Sequence, residues 1–124
     1  MTTDELLFFD PLPQFLSVYE ALKNTLAARY PEMTVRVTKT QISFRSRYVF
    51  TMVSLPCRRK KDWPEKYLMV SFGLAVQKES PRIAAAVEAY PGRWTHHVII
   101  ERAEDLDAQL LDWINEAYQF SMAK

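Results

Sequence analysis

The sequence predicts an α+β domain: an antiparallel sheet of about five strands, with N-terminal and C-terminal helices packed on one face. Three observations predict it. Apolar residues recur at spacings of three and four near both ends of the chain. In the middle the period drops to two, in several short runs. The links between those runs are short, which suits hairpins rather than the long crossovers of a parallel sheet.

Each element follows from its residues. Thr3 is placed to cap a short helix through Asp4, Glu5, Leu6, Leu7 and Phe8, and Asp10-Pro11 restarts the chain as an N-cap carboxylate before a first-turn proline. Phe15, Tyr19, Leu22 and Leu26 form one stripe of an amphipathic helix that should stop before Pro31. In VRVTKTQISF, Val35 and Val37 alternate with Arg36 and Thr38, and Ile42 and Phe44 with Ser43 and Arg45. Tyr48, Phe50 and Met52 continue the alternation, giving two or three strands with one buried face. LPCRRKKDWPEK, with its prolines and charge run, reads as a loop. KYLMVSFGLAV is apolar at nearly every position, as a central strand should be. Ser80-Pro81 has the form of a helix start, and Ile83, Val87 and Tyr90 at spacings of four and three predict a short helix ended by Pro91-Gly92. RWTHHVII is another strand. The last helix begins in the acidic EDLD, capped by Asp105 or a neighbour, with Leu106, Leu110, Trp113 and Ala117 facing inward.

Composition narrows the function classes. The length of 124 residues suits a single domain, 1–124, and 48% apolar with 25% charged residues is enough to bury a core without staples. No apolar run approaches the length of a membrane span, so no membrane partner is expected. The acidic start MTTDELLFFD does not read as a signal peptide. Cys57 is the sole cysteine, which rules out an internal disulfide and makes a cytoplasmic location the expectation. The two glycines, Gly73 and Gly92, cannot build a Gly-rich phosphate loop, and no G-x-S-x-G occurs. No cofactor is expected, and no set of catalytic residues assembles.

Charge is segregated. Residues 33–66 hold nine basic and two acidic groups, a net of +7, whereas residues 1–32 carry −3 and residues 104–124 carry −4. That asymmetry bears on partners rather than on fold. The candidate binding residues are the basic and aromatic ones in and around this middle segment: Lys39, Arg45, Arg47, Arg58 and Trp63, joined by Arg93 and His97. Basic groups beside an aromatic can hold phosphates and stack a base, which makes nucleic acid a partner that is possible but not favoured.

His96 and His97 are adjacent on a predicted strand, so they point to opposite faces and cannot share a metal ion. No metal site is expected. His96 shares a face with Trp94, Val98 and Ile100 and reads as a core histidine, whereas His97, with Thr95 and Ile99, reads as the one available for function. Cys57 precedes Arg58, Arg59, Lys60 and Lys61, whose charge favours a thiolate, yet no base or oxyanion donor lies beside it in sequence.

The stretches VRVTKTQISFRSRYVF, SPRIAAAVEAYPGRWTHHVII and EDLDAQLLDWINEAY resemble a family of small bacterial domains of unknown function. The likeness rests on the T-K-x-x-I-x-F pattern from Thr38 to Phe44, the P-G-R-W-T-H-H stretch and the Trp-containing last helix. It implies a compact α+β domain with an antiparallel sheet, and it brings no activity, cofactor or catalytic residue. The reading is therefore a cytosolic, non-catalytic binding or accessory module. Its basic, partly open sheet face, with Lys39, Arg45 and His97, suits an anionic small molecule or protein. The alternatives are a small enzyme using His97 and Cys57, and a nucleic-acid-binding domain.

Overall fold

The computed structural model describes residues 1–56 and 60–123. Among these, six strands rather than five form one fully antiparallel sheet: β1 (Thr34–Val37), β2 (Ile42–Arg45), β3 (Val49–Ser54), β4 (Leu68–Leu74), β5 (Ile83–Tyr90) and β6 (Arg93–Ile100). Their spatial order is β1-β2-β3-β4-β6-β5. The helices α1 (Thr3–Phe8), α2 (Leu16–Arg29) and α3 (Ala108–Met122) cover one face. No helix of the described residues is long and apolar enough to cross a membrane.

The core lies between the helices and the sheet. Ile42 and Phe44 of β2, Val53 of β3, Leu68, Val70 and Phe72 of β4, and Val98 and Ile100 of β6 are fully buried there. They alternate along their strands, so each strand turns one face inward. Phe15, Tyr19, Leu22 and Leu26 are all buried, as the spacing predicts. The helix carrying Tyr19, Leu22 and Leu26 starts later than Asp10-Pro11 suggests, because the chain first makes a 3-10 turn at Pro13–Phe15, which holds Phe15. At its far end, Tyr30 donates to Oδ1 of Asn115 (2.9 Å) and stacks on Tyr118 (4.2 Å between ring centres), which ties α2 to α3.

The helix starts are set by polar side chains, each shifted slightly from its expected place. Thr2, not Thr3, caps α1: its hydroxyl accepts from the Glu5 N–H (3.2 Å), and Oε1 of Glu5 accepts from the Thr2 N–H (2.9 Å). Glu5 is buried all the same, because the Tyr19 hydroxyl and the Lys23 ammonium (2.8 Å) also donate to it. Burial alone would raise its pKa, but Lys23, the Thr2 N–H and the Tyr19 hydroxyl together hold it at about 2. Asp107 caps α3 by accepting from the Leu110 N–H (3.0 Å). Asp105 instead closes the preceding 3-10 turn, accepting from the N–H groups of Glu101 (2.9 Å) and Arg102 (3.3 Å). Leu106 therefore precedes the helix, whereas Leu110, Trp113 and Ala117 are buried on it.

The stretch from Ile83 to Tyr90 corrects the sequence reading. It is the edge strand β5, paired with β6, and not a short helix. The register shifts between Ile83 and Ala85 and again between Glu88 and Tyr90. Those irregularities break the period of two, so Ile83, Val87 and Tyr90 imitate helical spacing without sharing a face. Pro91-Gly92 forms the tight turn into β6, with Gly92 at φ 78°, a conformation open to glycine at little cost.

Candidate functional site

The face of the sheet away from the helices is built by the other half of each strand. Strand pairing sets one row across it: Arg36, Ser43, Met52, Ser71, His97 and Ala85. A neighbouring row holds Gly73 and Thr95, with Arg45 farther along the face on β2. The remaining strand positions on this side include Thr34, Ser54, Met69, Arg93, Ile99 and Val87. No carboxylate sits at any of these strand positions. The acidic residues Asp4, Glu20, Asp112 and Glu116 lie on the helices instead.

Ser71 and His97 are direct neighbours on β4 and β6, and the Ser71 hydroxyl and Nδ1 of His97 share a hydrogen bond of 2.7 Å. Ser71 is buried and His97 half-buried. Burial pushes the His97 pKa below the ordinary histidine value, and the nearby His96 and Lys60 push it the same way. Ser43 is buried in the same row and accepts from Nε2 of Gln41 (3.3 Å). His96, by contrast, lies on the core side, fully buried and stacked on Phe72. The two histidines thus have the opposite orientations that strand geometry demands.

Basic side chains approach this floor from both ends of the strands. Arg93 crosses Gly73: a Cβ added at Gly73 would lie 3.6 Å from Nε of Arg93. The Arg93 guanidinium also sits 5.6 Å from the Tyr90 ring and 5.8 Å from the Phe120 ring. Arg45 lies at the end of β2, where its Nε donates to the Arg47 carbonyl (3.4 Å). Arg47, in the β2–β3 turn, rests 5.5 Å from the Tyr48 ring. At the other end, Lys60 approaches the Trp63 ring (5.7 Å), and Trp63 meets Tyr67 edge-on. Tyr67 is buried apart from the main core.

Of the residues singled out in the sequence, Arg45, Arg93 and His97 share this face. Lys39 does not; it lies in the β1–β2 turn and lines hollows beside Phe8 of α1. Trp63 stands at the opposite end of the face from Arg93, where it borders a hollow with Asp62, Arg82, Ile99, Glu101 and Asp105. Arg58 and Cys57 lie outside the described residues. The sequence did not single out Ser71 or Ser43. A trace was there, since each is a lone hydroxyl in an otherwise apolar strand interior, but only the register places Ser71 against His97. Among the described residues, no group of three His, Cys, Asp or Glu is placed to hold a metal ion.

The Ser71–His97 pair resembles a nucleophile with its base, but its setting is wrong for acyl transfer. Ser71 sits in mid-strand between β3 and β6, so the backbone N–H groups around it belong to the sheet ladders and none is spare to stabilise an oxyanion. The arrangement can hold and orient a charged group.

One sheet, a helical layer on a single face and a cationic, hydroxyl-bearing opposite face define a two-layer α+β protein. The chain belongs to the family described as Domain of unknown function (DUF5655), whose model matches residues 7–121. No curated protein and no solved structure matches it.

Proposed function

We propose that this protein is a cytosolic, non-catalytic binding module whose helix-free sheet face receives an anionic partner. The observation that carries the reading is the charge of that face. Arg36, Arg45 and Arg93 project from its strands and Lys60 borders it, while the carboxylates near it, Asp62 and Glu101, stand at its Trp63 end and not at its own strand positions. Such a field attracts anions and orients their approach. Arg93 supports the reading further, because no carboxylate pairs with it among the described residues. A stacked nucleic acid is favoured less, since Tyr90, the aromatic at a strand position of this face, lies at the sheet edge with its ring already against Arg93.

The test is an amide NMR titration with tripolyphosphate at low salt. Shifts concentrated on β2, β4 and β6, and abolished by the triple change Arg36→Glu, Arg45→Glu and Arg93→Glu, are expected. Shifts confined to the helices, or unchanged by the triple variant, overturn the reading.

A further inference from the structure

We infer that the sheet face takes a tetrahedral oxyanion, the group common to phosphates and sulfates, between Arg93 and His97, and that binding draws one proton from solvent onto the His97 ring. This rests on the anionic-partner reading and specifies both the ligand group and its coupling to pH.

The spacing favours such a group. Arg93 lies over Gly73, and Ser71 is the next residue on the same face of β4. Residues two apart on a strand are separated by about 6.6–6.8 Å. That is the backbone separation of the two β4 positions; Thr95 stands opposite Gly73 on β6, between Arg93 and His97, and a tetrahedral oxyanion seated there would meet the guanidinium on one side and the imidazole on the other. A guanidinium fork on one side and an imidazole N–H on the other then supply donors in different directions, which suits more than two oxygens.

The Ser71–His97 bond makes the proton part of the binding step. A neutral ring with its hydrogen on Nε2 takes the Ser71 hydroxyl hydrogen at Nδ1, so the serine has no hydrogen left for a ligand. A ring protonated at both nitrogens donates from Nδ1 to Ser71 Oγ. The Ser71 hydroxyl hydrogen is then released to turn towards the anion, and Nε2–H remains a second donor. One proton thus adds a positive charge and frees a donor.

The groups facing His97 favour the empty ring's neutral form. Lys60 reaches it from the segment after β3, His96 lies behind it through the sheet and Arg93 stands at the start of β6, whereas Glu101, just past the end of β6, is a carboxylate that opposes them. Tyr67 sits farther along the same face just before β4, while β5 contributes only Ala85 and Val87 here. An arriving dianion reverses that balance, and by linkage its affinity rises as the pH falls.

Sulfate is the probe, because it does not itself titrate near neutral pH. Its binding is measured calorimetrically from pH 8 to 5.5 in buffers of different ionisation enthalpy, with the His97 ring followed by NMR in the same wild-type protein. The expected result is uptake of up to about one proton per sulfate, an affinity gain approaching about tenfold per pH unit above the free ring's pKa, and an upward shift of the His97 titration when sulfate is present. His97→Gln should bind weakly, without pH dependence; Arg93→Ala should bind weakly but keep the proton uptake. Sulfate bound with no proton uptake, or with uptake retained in His97→Gln, overturns this inference and leaves the anionic-partner reading standing. Polyphosphate and sulfate both failing to bind at every pH removes that reading and this inference with it.

Discussion

The backbone N–H of Lys78 donates to Nε2 of His96 across 2.9 Å, while the side chain of the same lysine pairs with Glu116 of α3 at 2.8 Å. One residue thereby fastens the β4–β5 connection to both the sheet and the helical layer. The bond requires a neutral ring with its hydrogen on Nδ1, and Nδ1 finds no hydrogen-bond partner among the described residues. Burial lowers the pKa of His96, the Lys78 ammonium adds to the effect, and backbone groups of Phe72 and Trp94 oppose it.

Stability should therefore depend on pH through both histidines. Each folded pKa lies below the unfolded value of about 6.5, so the unfolded chain binds protons first as the pH falls. The contribution is fully present above that value and is lost progressively towards the folded pKa values. Urea midpoints measured from pH 8 to 5 should be level above pH 7 and decline below it. His97→Gln should flatten the decline in part and leave the share due to His96. A level profile throughout would contradict the buried neutral ring.

The Glu5 network makes a separate, more acidic prediction. Its carboxyl falls from 4.5 to about 2 on folding, so its contribution is present above pH 4.5 and disappears as the pH drops towards 2. Tyr19→Phe removes a donor to this buried carboxylate without opening much space. It should cost about 1.5–3 kcal/mol at neutral pH, as lost hydrogen bonds to charged groups do, and shrink the acid limb of the stability profile. Chemical denaturation at pH 7 and pH 3 reads both effects.

Trp113 is 7% exposed, and its ring centre lies 6.0 Å from that of Phe72. Trp113→Ala should destabilise the protein by about 3–5 kcal/mol, the range for emptying a large aromatic site. A variant as stable as the parent would contradict the packing of α3 on β4.

Asp107 holds both the start of α3 and Arg82, whose Nη1 lies 2.6 Å from Oδ1. The two roles separate by mutation. Asp107→Ala removes both the cap and the pair and should cost about 0.5–2 kcal/mol, whereas Arg82→Ala leaves the cap, removes a partly exposed pair with the bond to the Asp105 carbonyl, and should cost about 0–1 kcal/mol. Equal losses in thermal or urea unfolding would place the energy in the ion pair rather than the cap.

The sequence carried the parts of the fold that keep a regular period. RWTHHVII matches β6 residue for residue, and the α2 stripe is buried throughout. It misread β5 because an edge strand of small residues with two irregular registers has no clear alternation, and its pairing with β6 is a tertiary fact. The candidate face was legible as a charge excess but not as a constellation. His97 stood out as a residue type; Ser71 beneath it and Arg93 over Gly73 depend on which residues of β4 and β6 lie opposite one another. Lys39 shares the basic segment in sequence, yet the β1–β2 turn carries it to the side of α1.

Placing cations on one side of the sheet and carboxylates on the helices of the other gives the molecule a permanent dipole across its two layers. In the field of a polyanion such a body is turned before it is touched, so a larger share of collisions arrive with the strands in front. The torque weakens as ions shorten the range of the field to about 8 Å at physiological ionic strength. The division of charge between layers thus governs how often an encounter is productive, a kinetic property independent of the strength of any contact made afterwards.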